Sequence, residues 1–156
     1  MLRLTTDHRP LTTAFMTLAR KCVPFTPFDG DLKRSQIALV SAGGVHLREQ
    51  EPFNIADELG DLTFRLIPPD AAAADLMVTH HHYDHADADE DINVVFPLDV
   101  LRDLEAEGFV GGLARKHVGY MGYTMQLKAM YEGTAPQIAN EIDRGGRADA
   151  VVLTGG

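Results

Sequence analysis

Residues 80–91 read HHHYDHADADED and gather four of the chain's seven histidines with five carboxylates. Imidazole and carboxylate are the side chains that move protons near neutral pH and bind divalent metals, so chemistry is expected here first. In an extended chain alternate side chains share a face, which would point His80 and His82 together and His81 and Tyr83 away. Asp84 and His85 would follow as the strand turns into its loop. Such a set suits zinc, iron or manganese, with His80, His82, Asp84 and His85 as ligands. Asp87, Asp89, Glu90 and Asp91 would then orient the imidazoles from behind. The same letters also fit a polar loop whose acids face water and whose histidines bond to backbone. That simpler account explains Asp89 and Glu90 better than it explains His82 and His85.

The elements around this stretch set where it can sit. Residues 12–21, TTAFMTLARK, carry Phe15, Met16, Leu18 and Ala19 at helical spacing behind a threonine cap, and VPFTPF supplies a proline-containing connector. A continuous apolar run over 35–44 ends in Gly43 and Gly44, as a buried strand entering a tight loop does. Residues 62–68 alternate and stop at Pro68 and Pro69, and residues 74–80 form a third strand. A helix is expected over 97–108, with Val100, Leu101 and Leu104 on one face and Gly108 as its stop. Another is expected over 134–146, capped by Thr134 and ended by Gly145. Residues 149–156 form the last strand. Strands alternating with helices predict an α/β fold, a mostly parallel sheet with flanking helices of the Rossmann-like or flavodoxin-like three-layer kind. Residues 1–34 divide off as an N-terminal helix and connector, and residues 35–156 as a single α/β domain.

At 156 residues and 45% hydrophobic the chain suits one core. A formal net charge of −9 opposes nucleic acid and anionic lipid as partners. The lone cysteine, Cys22, excludes an internal disulfide and is expected to be a plain thiol; the opening residues lack the apolar run of a signal peptide or membrane helix. A cytoplasmic protein is expected, with proteins and small molecules as partners. The strand AVVL poses a difficulty, because so apolar a strand wants cover on both faces and a crossover helix normally follows it. Here Gly155 and Gly156 follow, where an α/β protein turns off a strand to build its binding site. The chain reads as cut short, the alternative being an edge strand that finishes the fold. Exposed apolar surface on such a strand would favour a homo-oligomer.

Two resemblances bear on function. The spacing His-x-His-x-Asp-His resembles the metal motif of the metallo-β-lactamase fold, but that fold needs a longer chain and later histidine ligands, and only His117 lies downstream. A wider likeness runs from VPFTPF to LTGG. In order, IALVSAGGVHLREQEPFN, GDLTFRLIP, the long block from THHHYDHADADEDINVVFP to KHVGYMGY, GTAPQIA and ADAVVLT resemble the selenoprotein B family of glycine, sarcosine, betaine and D-proline reductases.

That resemblance implies a reductase subunit that cleaves a carbon–nitrogen bond of a small amino-acid-like substrate beside a pyruvoyl-containing partner subunit. It also implies a selenocysteine, or a cysteine in its place, just after the strand matching VVLT, with a second cysteine a few residues on. A selenolate or activated thiolate attacks an electrophilic carbon and is then resolved by a neighbouring thiol. No residue of the 156 supplies that group, since Cys22 is remote in sequence. Selenocysteine is encoded by UGA, normally a stop codon, so a chain ending at Gly156 and unable to act as a reductase alone is the expectation. His82 and His85 then protonate the leaving amine or bind a carboxylate, with Asp84 fixing a tautomer. His46, beyond the first glycine loop, would face the same crevice. Gly43 and Gly44 would offer amides to an anion or simply turn the chain, and His117 and Tyr123 are further substrate-binding candidates, whereas Tyr120 reads as packing. A stand-alone metal protein and a non-catalytic assembly subunit of the same family stay open beside the reductase.

Overall fold

The computed structural model describes residues 28–156. The helix expected over 12–21, Cys22 and most of the connector lie outside the described residues. Seven strands follow in chain order: β1 (Gln36–Ser41), β2 (Val45–Leu47), β3 (Phe64–Ile67), β4 (Leu76–Val78), β5 (Gly112–Leu113), β6 (His117–Tyr120) and β7 (Ala150–Thr154). Helices are α1 (Ala86–Glu90), α2 (Leu98–Ala106), the single turn α3 (Leu127–Ala129) and α4 (Ala135–Asn140). The α/β expectation holds, with a sheet that is mostly parallel.

β1 is its centre. It runs parallel to β7 along Ile37–Ser41, to β5 at Gln36 and Ile37, and to β6 at Val40 and Ser41. A strand has two edges, so β7 fills one and β5 and β6 share the other. β3 closes the far side antiparallel to β6, from Phe64 opposite Tyr120 to Ile67 opposite His117. Alternation along β1 builds the three layers. Ile37 and Leu39 face a core with Phe96, Leu98 and Leu101 of the α1–α2 side, and Ala38 and Val40 face Val118, Ile138 and Ile142 of the α4 side.

Several expectations are corrected in detail. The strand predicted over 74–80 ends at Val78 and pairs antiparallel with β2 in a small separate sheet, from Val45 opposite Val78 to Leu47 opposite Leu76. The 134–146 helix is α-helical only over Ala135–Asn140; π-helical turns cover Met130–Thr134 and Glu141–Gly146. Thr134 does not cap it, because its hydroxyl donates to the Leu62 carbonyl at 2.7 Å. The helix stops at Arg147, in the left-handed region at φ 56°, rather than at Gly145. Gly108 does end the α2 region with φ +74°.

β7 has the apolar sequence of an interior strand but an exposed position. Leu153 is 76% exposed and Val151 44%. Val151 and Leu153 line an apolar groove of about 310 Å³ with Val40, Tyr120, Ile138 and Ile142. Among the described residues no helix is long and apolar enough to cross a membrane.

Candidate functional site

Because β1, β6 and β7 are parallel, their carboxyl ends emerge at one edge of the sheet. The end of β1 leads into Ala42–Gly44, that of β6 into Met121–Tyr123, and that of β7 into Gly155 and Gly156. Hydroxyls fix this edge. Ser41 Oγ and Thr154 Oγ1 both donate to the Val95 carbonyl, at 2.8 and 2.6 Å, which uses both lone pairs of one oxygen to hold two strand ends beside the segment before α2. The Ala42 amide donates to Thr154 O at 3.0 Å.

The histidine stretch arrives at this edge from β4. It is bent rather than extended from His81 to Tyr83, so the expected alternation fails. His81 lies against His82, with ring centroids 3.9 Å apart, and His82 stacks on Tyr123 at 3.4 Å with 24° between the ring planes. His80 turns inward and is buried. Its Nδ1 accepts the His82 amide at 3.1 Å, which leaves the proton on Nε2. Burial first, then the charges of His82, His81 and His85, push its pKa down to about 4, so it is neutral at pH 7. The pKa of His82 is also lowered, first by the water its stacked neighbours displace and then by His81.

Tyr83 bridges the loop to the strand ends. Its hydroxyl donates to the Gly43 carbonyl at 2.8 Å, and its ring stands edge-on to His80 at 4.8 Å. Gly156 lies on the same ring: a Cβ there would fall 2.6 Å from Cε1 and Cζ of Tyr83. Asp84 accepts the Ala86 amide at 3.1 Å and so caps the turn into α1. The carboxylate that meets His85 is Asp89, whose Oδ2 lies 2.9 Å from Nδ1. Nδ1 thereby donates and Nε2 is left for chemistry.

The other expected residues divide. Gly43 and Tyr123 belong to this edge. The amides of Gly43 and Gly44 are spent, on Ser41 Oγ at 3.1 Å and Tyr120 O at 2.9 Å, so the turn reading of these glycines describes them and the anion reading does not. Gly44 has φ +73° and its missing Cβ clears the Thr79 carbonyl, a conformation and approach open to glycine. His46 is fully buried in β2, donating from Nδ1 to Leu47 O and accepting at Nε2 from Thr79 Oγ1, both at 2.8 Å. Burial, ahead of the other causes, lowers its pKa. With both nitrogens engaged it supports the loop from beneath.

His117 opens β6, at the end of the strand away from the site. There its Nδ1 accepts the Leu39 amide at 2.9 Å, replacing a ladder bond where β5 has stopped and β6 begins. Its Nε2 is buried without a hydrogen-bond partner. Tyr120 is partly buried, as a packing residue is. Among the described residues no group of three or more His, Cys, Asp or Glu side chains converges to hold a metal. The expected metal set is not assembled, since His80 turns inward while Asp84 and His85 turn to other partners. Sequence reasoning missed Ser41, Tyr83, Thr154 and the pairing role of Asp89. The polar residues that close the two most apolar strands were the available signal for Ser41 and Thr154.

Comparison with known proteins adds the decisive observation. The profile of the glycine/sarcosine/betaine reductase selenoprotein B family matches residues 1–156. The chain belongs to this selenoprotein B family. The D-proline reductase subunit gamma of Acetoanaerobium sticklandii is 44% identical over 132 residues, which is 85% of this chain and 53% of that protein. The glycine reductase complex component B subunit gamma of Symbiobacterium thermophilum is 31% identical over 154 residues, 93% of this chain and 34% of that protein. The sarcosine reductase complex component B subunit beta of Peptoclostridium acidaminophilum is 34% identical over 103 residues, 64% of this chain and 23% of that protein. The chain therefore spans about half the length of the first of these selenoprotein B relatives and less of the others. No solved structure matches it significantly.

Proposed function

We propose that this chain is part of a reductase-complex subunit that cleaves a carbon–nitrogen bond of an amino acid or an amino-acid derivative. A selenol or thiol located just beyond the position of Gly156 is the nucleophile. A pyruvoyl group on a partner subunit would supply carbonyl chemistry toward the substrate amine. The observation that carries the reading is the meeting of the β7 carboxyl end with the histidine loop, where Gly156 rests on Tyr83 between the Gly43 turn and His80.

In this arrangement the nucleophile's electron pair forms a bond to carbon and the C–N pair leaves with nitrogen. The nitrogen takes a proton, delivered from Nε2 of His85, whose Nδ1 is held by Asp89. A neighbouring thiol then attacks the selenium or sulfur, the carbon departs with its pair and takes a second proton, and the two chalcogens are left joined as the oxidised product. The exposed His82, stacked on the half-buried Tyr123, forms a wall beside this point.

The test is to read the gene through codon 157 and about thirty codons beyond. An in-frame UGA or a cysteine codon just past codon 156, followed by an open frame with a second cysteine codon nearby, is the expected result. An open frame with neither residue in that place, or a stop with no coding pattern after it, overturns the proposed nucleophile.

A further inference from the structure

We infer that Tyr83 is a positioning residue: its hydroxyl ties the turn after β1 to the histidine loop, and its ring is the floor that fixes the path of the chain leaving β7. Its consequence for turnover rests on the reductase reading, but its geometry is a property of this chain alone.

Five contacts on one side chain carry the inference. Tyr83 Oη donates to Gly43 O at 2.8 Å, which fixes the ring at its far end. The side chain also packs on the core formed by β1 and the α1–α2 side. Between these anchors one edge meets His80 at 4.8 Å and another meets His85 at 5.8 Å. The remaining surface carries Gly156, so close that a side chain at that position would collide with Cε1 and Cζ.

Two consecutive glycines have more backbone freedom to lose than any other pair, so Gly155–Gly156 cannot define its own direction. A rigid ring with only two rotatable bonds supplies that direction at little entropic cost. Burial, with a smaller effect from Asp89, raises the phenol pKa, which keeps the hydroxyl a donor to Gly43. A residue attached to Gly156 starts one Cα step, about 3.8 Å, further on. Its side chain thus begins within reach of the two imidazoles that border the same ring. Tyr83 therefore sets the distance between whatever follows Gly156 and the proton-carrying loop.

The test has two readings. In NMR of the 156-residue chain, the Hα resonances of Gly156 should be displaced upfield by the ring. Tyr83→Phe should keep most of that displacement and Tyr83→Ala should abolish it, with the methyl resonances of Val118, Ile138 and Ile142 on the far side of the sheet unchanged in both. Random-coil shifts for Gly156 in the unsubstituted chain, or undiminished displacement in Tyr83→Ala, overturn the inference. In the reductase complex containing the full-length gene product, Tyr83→Ala should lower kcat by about 100-fold and Tyr83→Phe by about 10-fold, with KM little changed, as expected for misplacement of a reacting group. A change in KM alone overturns the positioning role. An unsubstituted complex that reduces no amino-acid substrate overturns the reductase reading instead, and the Gly156 resonances then decide the role of Tyr83 by themselves.

Discussion

His85 and Asp89 sit four residues apart across the first turn of α1, the spacing at which helical side chains meet. This makes the helix itself the device that orients an imidazole. Asp84, three residues before the first carboxylate of α1, is spent on the turn. On the reductase reading, His85→Gln should lower turnover of the intact complex by about 10² to 10⁴-fold, the usual contribution of a positioned acid. Asp89→Asn should cost less, because Nε2 survives and only its orientation is weakened. Unsubstituted rates in His85→Gln would remove His85 from the mechanism. His82→Ala should also reduce turnover, and in addition should release Tyr123 from its stack, which the fluorescence of the tyrosines can follow.

At the scale of elements, the connection between β3 and β4 is fastened to α2 by one side chain. Arg102 donates to the carbonyls of Pro69 and Ala71 and to Asp99, using several of the five donors of its fork. Lysine cannot reproduce that geometry. Arg102→Lys should therefore destabilise the fold by about 1–3 kcal/mol, read as a lower urea midpoint. An unchanged midpoint would show that the loop is held by other contacts. β7 gives the opposite contrast. Leu153→Ser should change the stability of this chain by no more than about 0.5 kcal/mol because the side chain is already in water. Leu39→Ala, in the fully buried strand beside it, should cost about 2–5 kcal/mol. Equal effects from the two substitutions would contradict the exposed placement of β7.

At the scale of the whole molecule, the sheet contains a seam that only a neutral imidazole closes. His117 bonds the Leu39 amide where β5 and β6 fail to meet, and burial, with a smaller effect from Arg102, holds its pKa at about 4 against an ordinary 6.5. The folded value is depressed, so as pH falls the unfolded chain takes up the proton first. Stability is then complete above about pH 6.5 and is lost progressively as pH falls toward 4. His80, also held at about 4, adds to the same window. Urea midpoints between pH 7 and pH 4.5 should show this loss. His117→Phe should flatten the slope in part, while lowering stability at pH 7 by about 1–3 kcal/mol through the unbonded Leu39 amide. A slope that persists in full would assign the acid sensitivity elsewhere.

Much of this arrangement was legible before any coordinates. The strands within 35–44 and 149–156, the helix over 97–108 and the α/β class followed from local patterns, because continuous apolar runs and the 3.6-residue period of a helix are written in consecutive letters, although only the first of the two strands is buried. The resemblance carried by the ordered motifs likewise required no structure, and it identified the family. What the letters could not hold were distances between segments far apart in sequence. His46 and His117 look like site histidines in isolation, and the fold turns both into supports, one beneath the loop and one inside the sheet. Tyr83 looks like a bystander, and the fold sets it between Gly43, His80 and Gly156. Chain sequence by itself determined which residues could carry protons and which segments were apolar enough to be strands. Only tertiary structure decided which of them meet, because parallel pairing of β1, β6 and β7 brings their carboxyl ends to one edge, and hydrogen bonds made there and beneath it select the histidines that remain free.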